Sequence, residues 1–146
     1  MVNMVSEMVT GTVVCTLHTE QAPSDDEWDA AMGLLDRHRR ADGELASMLI
    51  FTAGGAPTVA QRRRGNQITM GRRCTRAICT DSKATLVIVR GLSWFAPGLK
   101  SFSTQELAEA IRYVGVSADE ARQVWSKITA LNGRLGTPLP WLTPPR

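Results

Sequence analysis

Hydrophobic and polar positions along the chain follow two periods, one near two residues and one near 3.6. Val9 to Leu17 (VTGTVVCTL) is β-branched and partly alternating, which predicts a first strand ending near His18. Ser24-Asp25-Asp26-Glu27 then has the S-x-x-E form in which a Ser oxygen and a Glu carboxylate satisfy two otherwise unpaired helix-start amides. Trp28, Ala31, Met32 and Leu35 follow on one helical stripe, and Arg37, His38, Arg39 and Arg40 close the last turn, where cations complement the dipole. Leu45 to Thr52 (LASMLIFT) is an apolar run that predicts a strand buried on both faces, ended by Gly54 and Gly55. Thr58-Val59-Ala60-Gln61 opens a second helix through Met70, with Arg62 to Arg64 on its exposed side and Gly65 shortening or bending it.

The stretch from Cys74 to Gly98 repeats the pattern: Ala77 to Thr80 predicts a strand, Asp81 and Ser82 a turn and cap, and Lys83 to Phe95 a helix. Ala84, Val87, Ile88, Gly91, Leu92 and Phe95 form the stripe expected to face the sheet, which leaves Leu86 and Val89 on the opposite side. Leu99 to Phe102 is a brief strand. Ser103-Thr104-Gln105-Glu106 and Ser117-Ala118-Asp119-Glu120 are two further capping boxes, the first with Leu107, Ala110, Ile111 and Val114 behind it and Gly115 as its stop. The second precedes Ala121, Val124, Trp125 and Ile128.

Alternating strands and helices predict an α/β fold: a mainly parallel four- or five-stranded sheet flanked by helices, plus an extra C-terminal helix from about 117. One domain spans 1–132, and the Pro-rich segment 133–146 reads as an extended tail. At 146 residues and 43% hydrophobic content the chain can bury a substantial core.

Charge changes the picture only through its distribution. The net charge is +3, yet no acidic residue falls between Glu44 and Asp81, where Arg62, Arg63, Arg64, Arg72, Arg73 and Arg76 cluster. That cluster could neutralise phosphates of a polyanion, but it has no interleaved aromatic residues to stack bases, so a solvated helix face is favoured over nucleic-acid binding. Cys15, Cys74 and Cys79 form no C-x-x-C pair, and His18 and His38 are too few and too separated for a metal site, so neither metal nor cofactor is expected. Cys74 and Cys79 read as buried small hydrophobes. The N-terminus lacks a signal-peptide pattern and no apolar stretch has membrane-spanning length, which favours a cytoplasmic protein. No P-loop, nucleophile elbow, paired His ligands or dinucleotide fingerprint occurs, which argues against an enzyme.

The strings VVCTLHTEQAPSDDEWDAAMGLLDRH, PTVAQRRR and ICTDSKATLVIVRGLSWFAPGLKSFSTQELAEAI, covering roughly Val9 to Val116, resemble the STAS-like family, divergent bacterial single-domain relatives of anti-sigma-factor antagonists. The resemblance implies an open sheet flanked by helices, no catalysis, and a regulatory or scaffolding role in holding a protein partner or small ligand. Antagonists of the family carry a phosphorylatable Ser after an Asp where a central strand meets its helix. By topology that place is Gly54 to Thr58 here, with a hydroxyl in Thr58 but no Asp; the Asp81-Ser82 pair has the chemistry one strand later.

Two adjacent loops are therefore the candidate recognition edge, Gly54, Gly55 and Thr58 in one, and Thr80, Asp81, Ser82 and Lys83 in the other. Ser82 and Thr58 are the candidate phospho-acceptors, set against the simpler reading of a plain Ser or Thr N-cap. Leu86 and Val89 are the candidate contact surface for a protein partner or a second copy, unless the helix bearing Val124 and Trp125 folds over them. A small-molecule or lipid-type carrier is the alternative function, and polyanion binding the third.

Overall fold

The computed structural model describes residues 1–38, 42–70 and 72–145. Gly11 splits the apolar N-terminal region in two. Strands β1 (Met4–Thr10) and β2 (Val13–His18) pair antiparallel, with Met4 opposite His18 and a bulge between Met8 and Thr10. This corrects the single strand expected over Val9 to Leu17: Gly11 and Thr12 are the turn, and the Thr12 amide donates to Thr10 Oγ1 at 3.1 Å.

Beyond the hairpin, strand and helix alternate as α1 (Asp25–Arg37), β3 (Ser47–Thr52), α2 (Val59–Thr69), β4 (Arg76–Thr80), α3 (Lys83–Ser93), β5 (Leu99–Phe102), α4 (Leu107–Tyr113) and α5 (Ala118–Asn132). The fold is α/β, with a five-stranded sheet in the order β1-β2-β3-β4-β5, parallel from β2 to β5 and antiparallel only at β1. Arg39 and Arg40, expected in the last turn of α1, lie outside the described residues.

Reciprocal capping boxes start α1 at Ser24 and Glu27, α2 at Thr58 and Gln61, and α5 at Ser117 and Glu120. The box expected at Ser103 is not completed. Glu106 accepts from the Ser103 amide, but the Ser103 hydroxyl is engaged by the Gln105 amide, and the helix begins one turn later at Leu107. Gly65 neither shortens nor breaks α2; it is buried against Trp28 of α1, and a methyl group there would meet the indole at 3.1 Å. Gln61, 1% exposed, ties the same two helices by donating to the Pro23 carbonyl and to Asp25.

Strand alternation gives the sheet two unlike faces. Toward α4 and α5 point Val13, Cys15 and Leu17 of β2, Leu49 and Phe51 of β3, Ala77 and Cys79 of β4, and Phe102 of β5, packed with Ile111, Val124, Trp125, Ile128 and Leu131 into one fully apolar core. The segment after α5 closes over this core. Leu135, Leu139 and Leu142 are buried in it, and the Asn132 side chain both donates to and accepts from the backbone of Leu139. The three cysteines are free and buried, and burial pushes the Cys15, Cys74 and Cys79 thiols up, as expected of small hydrophobes.

The other face, toward α1, α2 and α3, is only partly apolar. Val14, Met48, Ala31, Met32 and Leu35 make a smaller core at its N-terminal end. Its remaining strand positions carry Thr16, His18, Thr52, Arg76 and Thr80, and Ile50 and Ile78 on the two central strands are half-buried.

Candidate groove between the sheet and helices α1 to α3

Strands in the middle of a mainly parallel sheet are normally covered on both faces. Ile50 and Ile78 are instead the floor of a cavity of about 380 Å³, walled by α1 through Trp28, Ala31, Met32 and Leu35, by α2 through Arg62, Gly65, Asn66 and Thr69, and by α3 through Thr85 and Leu92. The register explains its layout. His18 lies opposite Thr52 and Thr52 opposite Thr80, so the carboxyl ends of three strands form a polar row. One step in, Thr16, Ile50 and Ile78 form the middle row, with Thr16 held by the Ser6 hydroxyl at 3.0 Å. At the far end Met48 lies opposite Arg76. Met48 and Thr52 are four residues apart on one strand, which separates the two polar poles by roughly 13 Å.

Three buried side-chain nitrogens have no hydrogen-bond partner among the described residues: His18 Nε2, Trp28 Nε1 and Arg76 Nε. All three residues line this one cavity. Buried polar atoms are nearly always paired, so three residues with unpaired nitrogens around one space single it out as the candidate site. His18 is 6% exposed, and burial lowers its pKa from the ordinary value against the opposing effects of a hydrogen bond at the Gln21 backbone and the charge of Glu27, so the ring is neutral at pH 7. Among the described residues no carboxylate lines the groove. A larger cavity of about 590 Å³ lies between α4, α5, Pro144 and Pro145, but none of His18, Trp28 and Arg76 lines it.

The sequence-derived sites fall around this groove unevenly. The two candidate loops are brought together: Gly54, at φ +114°, sits so close to α3 that a methyl group on it would lie 3.4 Å from Thr85 Oγ1 and 3.6 Å from the Ser82 side chain. Gly55 lies on the groove rim, and Thr80 is fully buried behind it. Thr58 caps α2, its hydroxyl accepting from the Gln61 amide. Ser82 caps α3, its oxygen accepting from both the Thr85 amide at 3.2 Å and the Thr85 hydroxyl at 3.0 Å, while the Ser82 amide donates to Thr80 Oγ1 at 3.1 Å, the role that a Glu or Gln side chain fills in the capping boxes. Asp81 and Lys83 are exposed at the same edge.

The faces of α3 are the reverse of those expected. Val89 is 5% exposed and Thr85 and Leu86 are half-buried, whereas Val87, Ile88 and Leu92 are more than half exposed and Trp94 and Phe95 are almost fully so. Both stripes of this helix are apolar, so hydrophobicity alone does not choose between them; the short connection from Trp94 to Gly98 into edge strand β5 sets the side that meets the sheet. Helix α5 does not cover the outer stripe, because Val124 and Trp125 pack on the opposite face of the sheet.

The arginine cluster is dispersed. Arg64 pairs with Asp25 and Asp29 at 3.2 Å each, Arg72 with Asp36 at 3.8 Å, and the Arg73 amide donates to Glu44. Arg63 points to solvent, while Arg62 and Arg76 line the groove. His18 and Arg76 thus become site residues that no motif marked. The available signal was the period of two, with polar side chains at Thr16 and His18, and at Arg76 and Thr80 around Ile78, all on one face of otherwise apolar strands.

Compared with protein-family models, with curated proteins and with solved structures, the chain matches none. No helix among the described residues is long and apolar enough to cross a membrane.

Proposed function

We propose that this protein is a non-enzymatic binding module, of the STAS-like organisation its element order suggests, that holds a small ligand with an apolar body in the groove over Ile50 and Ile78. The observation that carries this reading is that His18, Trp28 and Arg76, the residues whose buried nitrogens lack partners among the described residues, all line one cavity whose floor is the uncovered centre of the sheet. Its size lies at the lower end of the range for small-molecule sites. In this reading the protein acts in the cytoplasm as a carrier or ligand-responsive regulator. The neutral fluorescent probe 1-naphthol, which is within the size the groove admits, is expected to bind saturably at one site per chain. Replacing Ile78 with Trp should fill the groove and weaken binding at least about tenfold, with circular dichroism confirming the fold. Absence of saturable binding, or an Ile78→Trp variant that binds normally, refutes the reading.

The outer stripe of α3 favours a second role, self-association. Trp94 is 87% and Phe95 88% exposed, and side chains of this kind carry roughly 150–250 Å² each. With Val87, Ile88 and Leu92 the stripe approaches the roughly 800 Å² per partner that standard interfaces bury. A second copy related by a twofold axis would present the same stripe and cover both at once. Sedimentation velocity at micromolar concentration should show a dimer that Ile88→Asp with Phe95→Glu converts to a monomer; a monomeric wild type overturns this role.

A further inference from the structure

The groove has a chemical polarity that specifies more than size. Arg64, Arg72 and Arg134 each reach a carboxylate within 4.0 Å, whereas Arg76 pairs with no carboxylate among the described residues and its Nε is buried without any hydrogen-bond partner. The Arg76 side chain is half-buried, so its guanidinium has lost part of its hydration without gaining a carboxylate, and it cannot lose its charge. It therefore calls for an anion. Trp28 Nε1 can only donate, His18 presents a second unpaired ring nitrogen, and no carboxylate among the described residues lines the space. The lining thus combines two cationic side chains and the hydroxyls of Thr16, Thr52, Thr69 and Thr85 with an apolar floor, and holds no carboxylate among the described residues.

Resting on the groove reading above, we infer that the ligand is an amphipathic monoanion whose charged head pairs with Arg76 and whose apolar body lies over Ile50 and Ile78. At about 30 Å³ for each water-sized group the cavity takes on the order of a dozen non-hydrogen atoms. That is the size of a medium-chain carboxylate. The head goes to Arg76 and not to Arg62 because Arg62 is an exposed helix residue that already has water, whereas Arg76 stands on a central strand opposite Met48. The Arg76 guanidinium offers a parallel pair of donors suited to a carboxylate or a comparable singly charged head.

Decanoate and the neutral 1-decanol differ chiefly in that head, and isothermal titration of the whole chain at pH 7 separates them. Wild type is expected to bind decanoate roughly ten- to a hundredfold more tightly than decanol, since hydrogen bonds to charged groups are the strong ones. Arg76→Met, which keeps the stem and removes the charge, should reduce decanoate to the affinity of decanol and leave decanol unchanged. Arg63→Met, at a solvent-facing position outside the groove, should alter neither. Equal binding of the two ligands to wild type, or a loss caused by Arg62→Met in place of Arg76→Met, overturns the assignment of the head while the groove reading stands. If neither decanol nor decanoate binds, both fall together. Should Arg76→Met not fold, the wild-type comparison of the two ligands decides alone.

Discussion

Phe51→Ala is expected to destabilise the protein by about 3–5 kcal/mol, lowering the melting temperature by roughly 10–20 °C. Phe51 is fully buried on a central strand, with the rings of Trp125 and Trp141 each 6.4 Å from its own. Trp125 belongs to α5 and Trp141 to the C-terminal segment, so one side chain joins the sheet to both layers that cover it. Its removal leaves a void that these large rings cannot collapse into without leaving their own neighbours. Because Phe51 points away from Ile50 and Ile78, ligand affinity of the molecules that remain folded should not change. Thermal melts followed by circular dichroism, with binding measured well below the melting temperature, check both parts; a shift under about 3 °C would show that the site repacks freely.

Gly55→Ala should have the next largest effect, about 3 kcal/mol, for a different reason. Gly55 donates its amide to the Thr19 carbonyl at 3.1 Å, where the loop after β3 crosses the loop after β2. A methyl group there would overlap that same carbonyl oxygen and come within 2.8 Å of the carbonyl of Gln21. These are backbone atoms, and the Thr19 amide is itself anchored to the Asn3 carbonyl at 2.9 Å, so the crossing has little room to yield. As Gly55 is also a groove residue, the variant should lose ligand affinity together with stability, unlike Phe51→Ala. A melting temperature within about 2 °C of wild type would contradict the steric account.

Local chemistry made most of the architecture readable in the sequence. Ser24 with Glu27, Thr58 with Gln61 and Ser117 with Glu120 mark helix starts because each pair must satisfy the same amides wherever the helix lies. What escaped depends on tertiary context. β1 was hidden because Gly11 sits inside one continuous β-rich stretch, and only pairing of Met4 with His18 reveals a hairpin. Ser103 failed as a cap because its partner carboxylate belongs to a turn ahead of the helix. The inner face of α3 could not be chosen from two apolar stripes. The site was the least legible part: His18 and Arg76 are 58 positions apart, and only the parallel register across β3 places them at opposite ends of one groove.

The reversed seating of α3 bears on motion as well as shape. Val89 is the one fully buried side chain of this helix, whereas α1 and α5 bury three and four. An element held by so little apolar contact opens locally at a free energy well below that of global unfolding. Thr85 and Leu92 belong to it, so local opening of α3 would uncover the floor at Ile78 and leave the opposite core of Phe51, Trp125 and Ile128 closed. Amide hydrogen exchange in α3 is therefore expected to be faster than in α5, and a ligand held in the proposed groove would enter and leave through that opening.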